Sequence, residues 1–295
     1  MKIFKAIILF GFIIGALLIV IGFVAGGSIS GVKDVFVWDS RYVKQENYLI
    51  DNSVNEIEIN SDSRNIKINK TDEKNSFIEY YLYENKETIG FELNNNKLSI
   101  KQKDSRFKFP WVSIGGATKK VSTIIVNLTN DDVKKLKLTT SSGSVELENI
   151  KADFLDIKIN SGSLKIENGV LNNTNVSIDS GSTTITKLTT NSAKFDVDSG
   201  RVSIAEIFGE ILDINIDSGS IRITDNNIKK NKFKIDSGSI RVTDKREKNK
   251  IGYKAKTSSG SIKVFGEKYN ELSDRLELFE IIYEINISSG SITIS

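Results

Sequence analysis

The sequence has no histidine and no cysteine. Without histidine there is no Ser-His-Asp triad, no His-ligated zinc and no imidazole pH switch. Without cysteine there is no thiolate chemistry, disulfide, Cys-ligated metal or lipidated N-terminal cysteine. Proline occurs once, at Pro110, which leaves 21 glycines as the punctuation of the chain. Charge of one sign is also lacking: 41 basic and 38 acidic residues give a net charge of +3. No basic stripe is visible along the chain, so nucleic acid is not an expected partner.

What is present points to a folded body. Hydrophobic residues make up 39% and charged residues 27% of 295 residues, enough for one long domain or two small ones. The abundance of Ile, Lys and Asn fits an AT-rich bacterial genome. Residues Ala6 to Val32 carry no charge, and their apolar core runs from Ile7 to Ala25. A helix of about 20 apolar residues crosses a bilayer core of about 30 Å. Lys2 and Lys5 precede the segment, whereas Lys33 and Asp34 beyond it offset each other. The positive flank stays inside, so the rest is expected outside the cell, behind an uncleaved single-pass anchor. The competing reading is a cleaved signal peptide, with Val24, Ala25, Gly26 and Gly27 at the cleavage site. The apolar run exceeds the signal core of about 7–15 residues.

The dominant feature is a repeat. Ser-Gly recurs at Ser142-Gly143, Ser161-Gly162, Ser180-Gly181, Ser199-Gly200, Ser218-Gly219 and Ser237-Gly238, at a constant interval of 19. Ser259-Gly260 follows after 22 residues and Ser289-Gly290 after 30. Around Gly219, Leu212, Ile214 and Ile216 alternate with Asp213, Asn215 and Asp217, and Ile221 and Ile223 follow with the same period. A period of two is a strand on both sides of a corner. One such unit cannot bury its apolar face alone, but a stack buries a continuous column. The expected fold is therefore all-β: a single-stranded β-solenoid, or β-helix, of about 19-residue coils behind one N-terminal transmembrane helix. A meander of hairpins is the alternative.

The expected layout is a cytoplasmic tip and anchor over 1–32, irregular β coils or a cap over 33–130, and regular coils over 131–295. Ile57, Ile59, Ile66 and Ile68 around Ser61-Asp62-Ser63 read as a degenerate coil in which Asp62 replaces glycine. Phe77 to Tyr83, Leu98 to Lys101 and Val121 to Leu128 are further strand candidates. The last interval is 11 residues longer than 19, and an insertion near 267–280, from Glu267 to Phe279, reads as a short helix. A chain ending directly after a strand leaves an edge that this insertion or a partner would cover.

Few residues suggest chemistry. Asp179, Asp198, Asp217 and Asp236 share one position in four consecutive coils. A column of carboxylates at strand spacing repels itself, and a calcium ion with six to eight oxygen ligands would relieve that. The plainer reading is that each Asp accepts a backbone N–H of its own turn. The aromatic loop with Phe107, Phe109 and Trp111, rimmed by Arg106 and Lys108, is either a binding tip or a plug for the open end of the stack. The run Asp244, Lys245, Arg246, Glu247 and Lys248 reads as a solvated stretch. No interruption carries an evident catalytic constellation, so an enzyme is not expected, and neither is a cofactor. The outward row Lys137, Asp156, Asn175, Lys194, Asp213, Lys232, Lys254 and Glu284 should pair opposite charges between coils.

The stretch Val121-Ser-Thr-Ile-Ile-Val-Asn-Leu, leading into Leu136-Lys-Leu-Thr-Thr-Ser-Ser-Gly-Ser-Val-Glu-Leu, and the Asp-Ser-Gly-Ser-Ile-x-Ile units such as Asp217 to Ile223, resemble the bacterial DUF4097 family. The resemblance covers roughly residues 50–295 and takes in the LiaG-like envelope proteins of Gram-positive bacteria. The family's proline after the first of these strands is absent; Thr129 follows Leu128. The resemblance implies a surface-exposed repeat body regarded as an adhesin, an envelope-stress setting and no catalytic residue to carry over. The expected function is a membrane-anchored outer β-solenoid offering a structural or binding surface to an envelope protein or polysaccharide. The alternatives are an accessory of an envelope-stress signalling system and a calcium-dependent carbohydrate-active enzyme.

Overall fold

Alternating branched apolar and polar residues make extended backbone whose unpaired N–H and C=O groups need a neighbour. Here the neighbour is the equivalent segment one repeat away. The computed structural model describes residues 41–83, 87–104, 118–129, 133–269, 271–274 and 276–295. The anchor expected over 1–32 and the loop with Phe107, Phe109 and Trp111 lie outside them. Among the described residues no helix is long and apolar enough to cross a membrane.

The N-terminal strands are β1 (Tyr42–Lys44), β2 (Tyr48–Leu49), β3 (Glu56–Ser61), β4 (Asn65–Lys70), β5 (Phe77–Glu79), β6 (Tyr81–Tyr83), β7 (Glu87–Asn94), β8 (Lys97–Asp104) and β9 (Thr123–Leu128). The central strands are β10 (Lys135–Ser142), β11 (Val145–Glu148), β12 (Lys151–Glu167), β13 (Gly169–Ile185), β14 (Leu188–Ile204), β15 (Ile207–Ile223) and β16 (Asn226–Val242). The last are β17 (Ile251–Val264), β18 (Glu267–Tyr269), β19 (Glu271–Ser273) and β20 (Ile281–Ile294). From β12 to β16 every pairing is parallel and shifted by one repeat, as in Ile157↔Val176, Val176↔Phe195, Phe195↔Ile214 and Ile214↔Phe233. Parallel pairing rules out the meander of hairpins, whose neighbours would run antiparallel. The fold is the expected solenoid.

Each coil has several inward runs. In β12 these are Ala152, then Leu155, Ile157 and Ile159, then Leu164 and Ile166. Their equivalents in neighbouring coils fill one continuous apolar core. The bend between the second and third runs is the glycine corner. Gly219 has φ 152°, a region that L side chains rarely adopt. A Cβ there would also stand 1.8 Å from the carbonyl oxygen of Gly200 in the coil below. The same collision, at 1.7 Å, would meet a Cβ on Gly181. Conformation and space both demand glycine.

The stack does not follow chain order at its ends. β3 and β4 form a coil parallel to β10 and β11, and β8 and β9 lie outside that coil. The first coil in the chain is thus the second in space. At the other end β20 inserts between β16 and β17, pairing in parallel with both. The outermost of these coils is β17, with β20, later in the chain, one place inside it.

Three expectations are corrected. The constant offset between Ser61↔Thr140 and Ile66↔Val145 puts Arg64 in the place of glycine, opposite Gly143, and puts Asp62 opposite Ser141. Glu267 to Phe279 is also not a helix. It forms β18 and β19, which pair antiparallel with β17, and a 3-10 turn at Leu276–Leu278. An open strand edge offers that segment more hydrogen bonds than an isolated helical turn can make. The insertion lies along β17, and not along β20, the strand it was expected to cover.

Gly219→Ala should destabilise the fold by more than about 3 kcal/mol, since the added methyl must displace the Gly200 carbonyl. The exposed neighbour Ser218→Ala should stay within about 0.5 kcal/mol of the parent. Denaturant melts of the two variants check this, and equal losses would contradict the packing argument.

Candidate functional site

The outward side chains stand in rows along the stack. One row reads Glu58, Lys137, Asp156, Asn175, Lys194, Asp213, Lys232, Glu284, Lys254 in spatial order. Charge alternates along it except at Asn175. In chain order Lys232 and Lys254 would be adjacent, but the insertion of β20 sets Glu284 between them. Glu58 accepts from Lys137 at 2.8 Å and from Lys97 at 2.5 Å. Those two bonds, from Lys137 first, outweigh the cost of burial and hold the Glu58 carboxyl down at about 2. A depressed carboxylate stabilises the fold above its unfolded pKa and loses that contribution as pH falls through the folded value. Glu58→Gln should therefore cost about 1 kcal/mol at pH 7, allowing for solvent screening, and close to nothing below about pH 2. Stability measured from pH 7 to pH 2 checks the convergence.

The aspartates of the repeat form a second row. Asp179, Asp198, Asp217 and Asp236 are exposed and sit between paired ladder positions, as Asp179 does between Ile178↔Val197 and Ser180↔Ser199. Lys234 lies 4.0 Å from Asp236. None of the four accepts a turn N–H among the described residues, so the expected bond to the turn's own backbone is not made. Among the described residues no group of three or more acids converges on a point where a metal ion could sit. The row is a line of separate, solvated carboxylates.

Both ends of the core carry buried charge that the sequence reading missed. At one end Arg64, 1% exposed, turns inward from the position that glycine holds elsewhere. Its Nε donates to Glu87 at 2.6 Å and a terminal nitrogen donates to the Tyr81 carbonyl at 2.7 Å. Further bonds reach Glu87 and the Val121 carbonyl. Gln102 donates to Glu87 at 2.9 Å and accepts from Ser61 at 3.0 Å, and the guanidinium lies 4.9 Å from the Tyr42 ring centre.

At the other end Asp244 is 4% exposed, so the run Asp244 to Lys248 is not uniformly solvated. Asp244 accepts from Arg246 at 2.8 Å and from the Tyr283 hydroxyl at 2.6 Å. Asn226 donates to that hydroxyl at 2.6 Å and to Asn231 at 2.8 Å. Burial pushes the Asp244 carboxyl up, but the bonds from Arg246 and Tyr283 prevail and hold it below the usual range. Burial, with Asp244 beside it, raises the Tyr283 phenol far above its ordinary value. Tyr253 stacks on Tyr283 at 5.8 Å.

A family model described as Toastrack DUF4097 matches residues 54–295. The chain belongs to that family. Among solved structures, the Toastrack chain is similar to a putative adhesin from Bacteroides fragilis, 13% identical, with 88% of this chain and 99% of that one covered and a TM-score of 0.49. It is also similar to a putative lipid binding protein from Parabacteroides distasonis, at 14% identity, with 86% and 97% covered and a TM-score of 0.43. A putative cell adhesion protein from Clostridium sporogenes is 16% identical, with 86% and 98% covered and a TM-score of 0.27. No curated protein matches the chain.

In this Toastrack body most donors and acceptors of the two end networks bond to one another, the buried Tyr253 hydroxyl being an exception. The long outward rows face solvent on the sides of the stack. One of the missed networks had a faint signal: Ser63 is followed by Arg64 where the other corners read Ser-Gly. Glu87, the ion-pair partner of Arg64, lies 23 residues away, and Tyr283, which donates a hydrogen bond to Asp244, lies 39 residues away. Arg64→Ala should cost about 3–5 kcal/mol, because it leaves Glu87 charged and buried. The double replacement Arg64→Met/Glu87→Leu should recover part of that loss in the same melting experiment.

Proposed function

We propose that this chain is a cell-surface binding protein, with a Toastrack solenoid held outside a bacterial membrane by the N-terminal segment. The reading rests on one observation above the rest: successive coils hold their outward side chains in parallel register over the whole stack. Such a surface repeats its contacts at about 4.8 Å, and suits an extended partner better than a small molecule. Binding is favoured over catalysis because the buried carboxylates Glu87 and Asp244 are held in ion pairs with Arg64 and Arg246. The anchor rests on the uncharged stretch from Ala6 to Val32 behind Lys2 and Lys5. Adhesion to an envelope polysaccharide or protein is the activity that the family relationship supports.

The test is topological. The full chain with a C-terminal tag, expressed in bacteria, should stay in the membrane pellet after alkaline extraction. External protease should digest the tagged body on spheroplasts, and deletion of residues 1–32 should release the protein from the membrane. A body protected from protease until the cells are lysed would sink the reading.

A further inference from the structure

Several outward rows carry ion pairs between coils, but one cluster of arginines stands without them. On the wall that follows the glycine corner, Lys67 lies 2.8 Å from Glu148 and Lys165 lies 2.8 Å from Glu167. Farther along the same wall the acids stop. Arg201 on β14 stands opposite Ser220 on β15, followed by Ser239 on β16 and Ser291 on β20. In the adjacent row Ser203 is followed by Arg222, Arg241 and Thr293. These side chains line a shallow trough of about 360 Å³. All three arginines are exposed, and none makes an ion pair or hydrogen bond among the described residues.

That arrangement is costly without a ligand. Arg222 and Arg241 occupy directly paired positions, where like charges repel. Of the acids nearest in the chain, Asp225 pairs with Lys245 and Asp244 with Arg246, while Asp198, Asp217 and Asp236 lie across the glycine corner and form no ion pair with the arginines. A guanidinium presents a planar fork of donors that matches phosphate oxygens. The serine and threonine hydroxyls between the forks add donors for the remaining oxygens. The trough crosses four coils along the stack axis, which suits a chain rather than a single anion. Its outward side chains include no aromatic ring, so it offers nothing on which a nucleic acid base could stack.

We propose that Arg201, Arg222 and Arg241, with the interleaved hydroxyls of Ser220, Ser239 and Ser291, bind a flexible phosphodiester polymer without bases, laid along the stack. The proposal deepens the reading of the body as an outer binding surface and rests on it.

Binding of the purified full chain in neutral detergent to a poly(glycerol phosphate) chain tests the site. It does so independently of topology, so failure of the site and failure of the surface reading are separable. Saturable binding is expected, weakening steeply between 50 and 200 mM salt. Arg222→Ser/Arg241→Ser should weaken it at least tenfold. Lys158→Ser/Lys230→Ser, which removes the same charge from exposed positions elsewhere, should leave it within twofold. The melting temperature of the arginine variant should equal or exceed that of the parent, since a repulsion has been removed. Equal losses in the two double variants, no binding at all, or a melting temperature several degrees lower in the arginine variant would overturn the proposal. So would equally tight binding to polyglutamate, to single-stranded DNA or to anionic phospholipid vesicles.

Discussion

The solenoid depends on the contact between the glycine of one coil and the backbone of the next. At the corner the carbonyl oxygen of each glycine fills the space where the next glycine would carry its Cβ. The coils can then approach to hydrogen-bonding distance through the bend as well as along the flat strands. Without that approach the ladder would break once per coil, and the apolar columns on either side would lose their registration. The constraint passes from coil to coil, because each glycine is both the guest of the one below and the host of the one above. Valine, isoleucine and leucine supply the driving force, but the corner decides that their columns line up.

The ends face a different problem. A stack of parallel strands exposes an open edge at each terminus, which invites pairing with other chains. Both edges are met by antiparallel strands. β7 lies along β8 at one end, and β18 and β19 lie along β17 at the other. Near each cover an ion pair replaces part of the apolar core: Arg64 with Glu87, both buried, and the buried Asp244 with the partly exposed Arg246. Such pairs add little net stability but penalise misregistered arrangements that would leave one charge alone. They sit where the repeat no longer dictates what stacks on what.

Much of this was legible in the sequence. The interval of 19 and the period-two alternation gave the coil length, the inward residues and the corner. The stack order at the ends was not legible, because spacing alone carries no information about insertion. A signal existed in the outward row, where Lys232, Glu284 and Lys254 alternate only if β20 lies between β16 and β17. Glu267 to Phe279 misled because its apolar spacing suits a helical turn, while the waiting edge of β17 suits a strand. Asp244 misled because a charge run looks solvated until Tyr283 arrives from another coil. The arginine trough escaped notice for a similar reason: Arg201, Arg222 and Arg241 lie about twenty residues apart in the chain, and only stacking makes them neighbours.

The internal position of β20 bears on the order of assembly. A solenoid in strict chain order could grow coil by coil as its chain emerged from a ribosome or a translocation channel. Here the coil at β17 has no seat until the later segment Ile281–Ile294 is in place beside β16. Until then Ile251 to Val264 must wait unpaired, or dock temporarily on β16 and be displaced later. Residues Ile281–Ile294 therefore act as a keystone, and a chain cut before Ile281 would lose a seam within the stack rather than a strand from its rim.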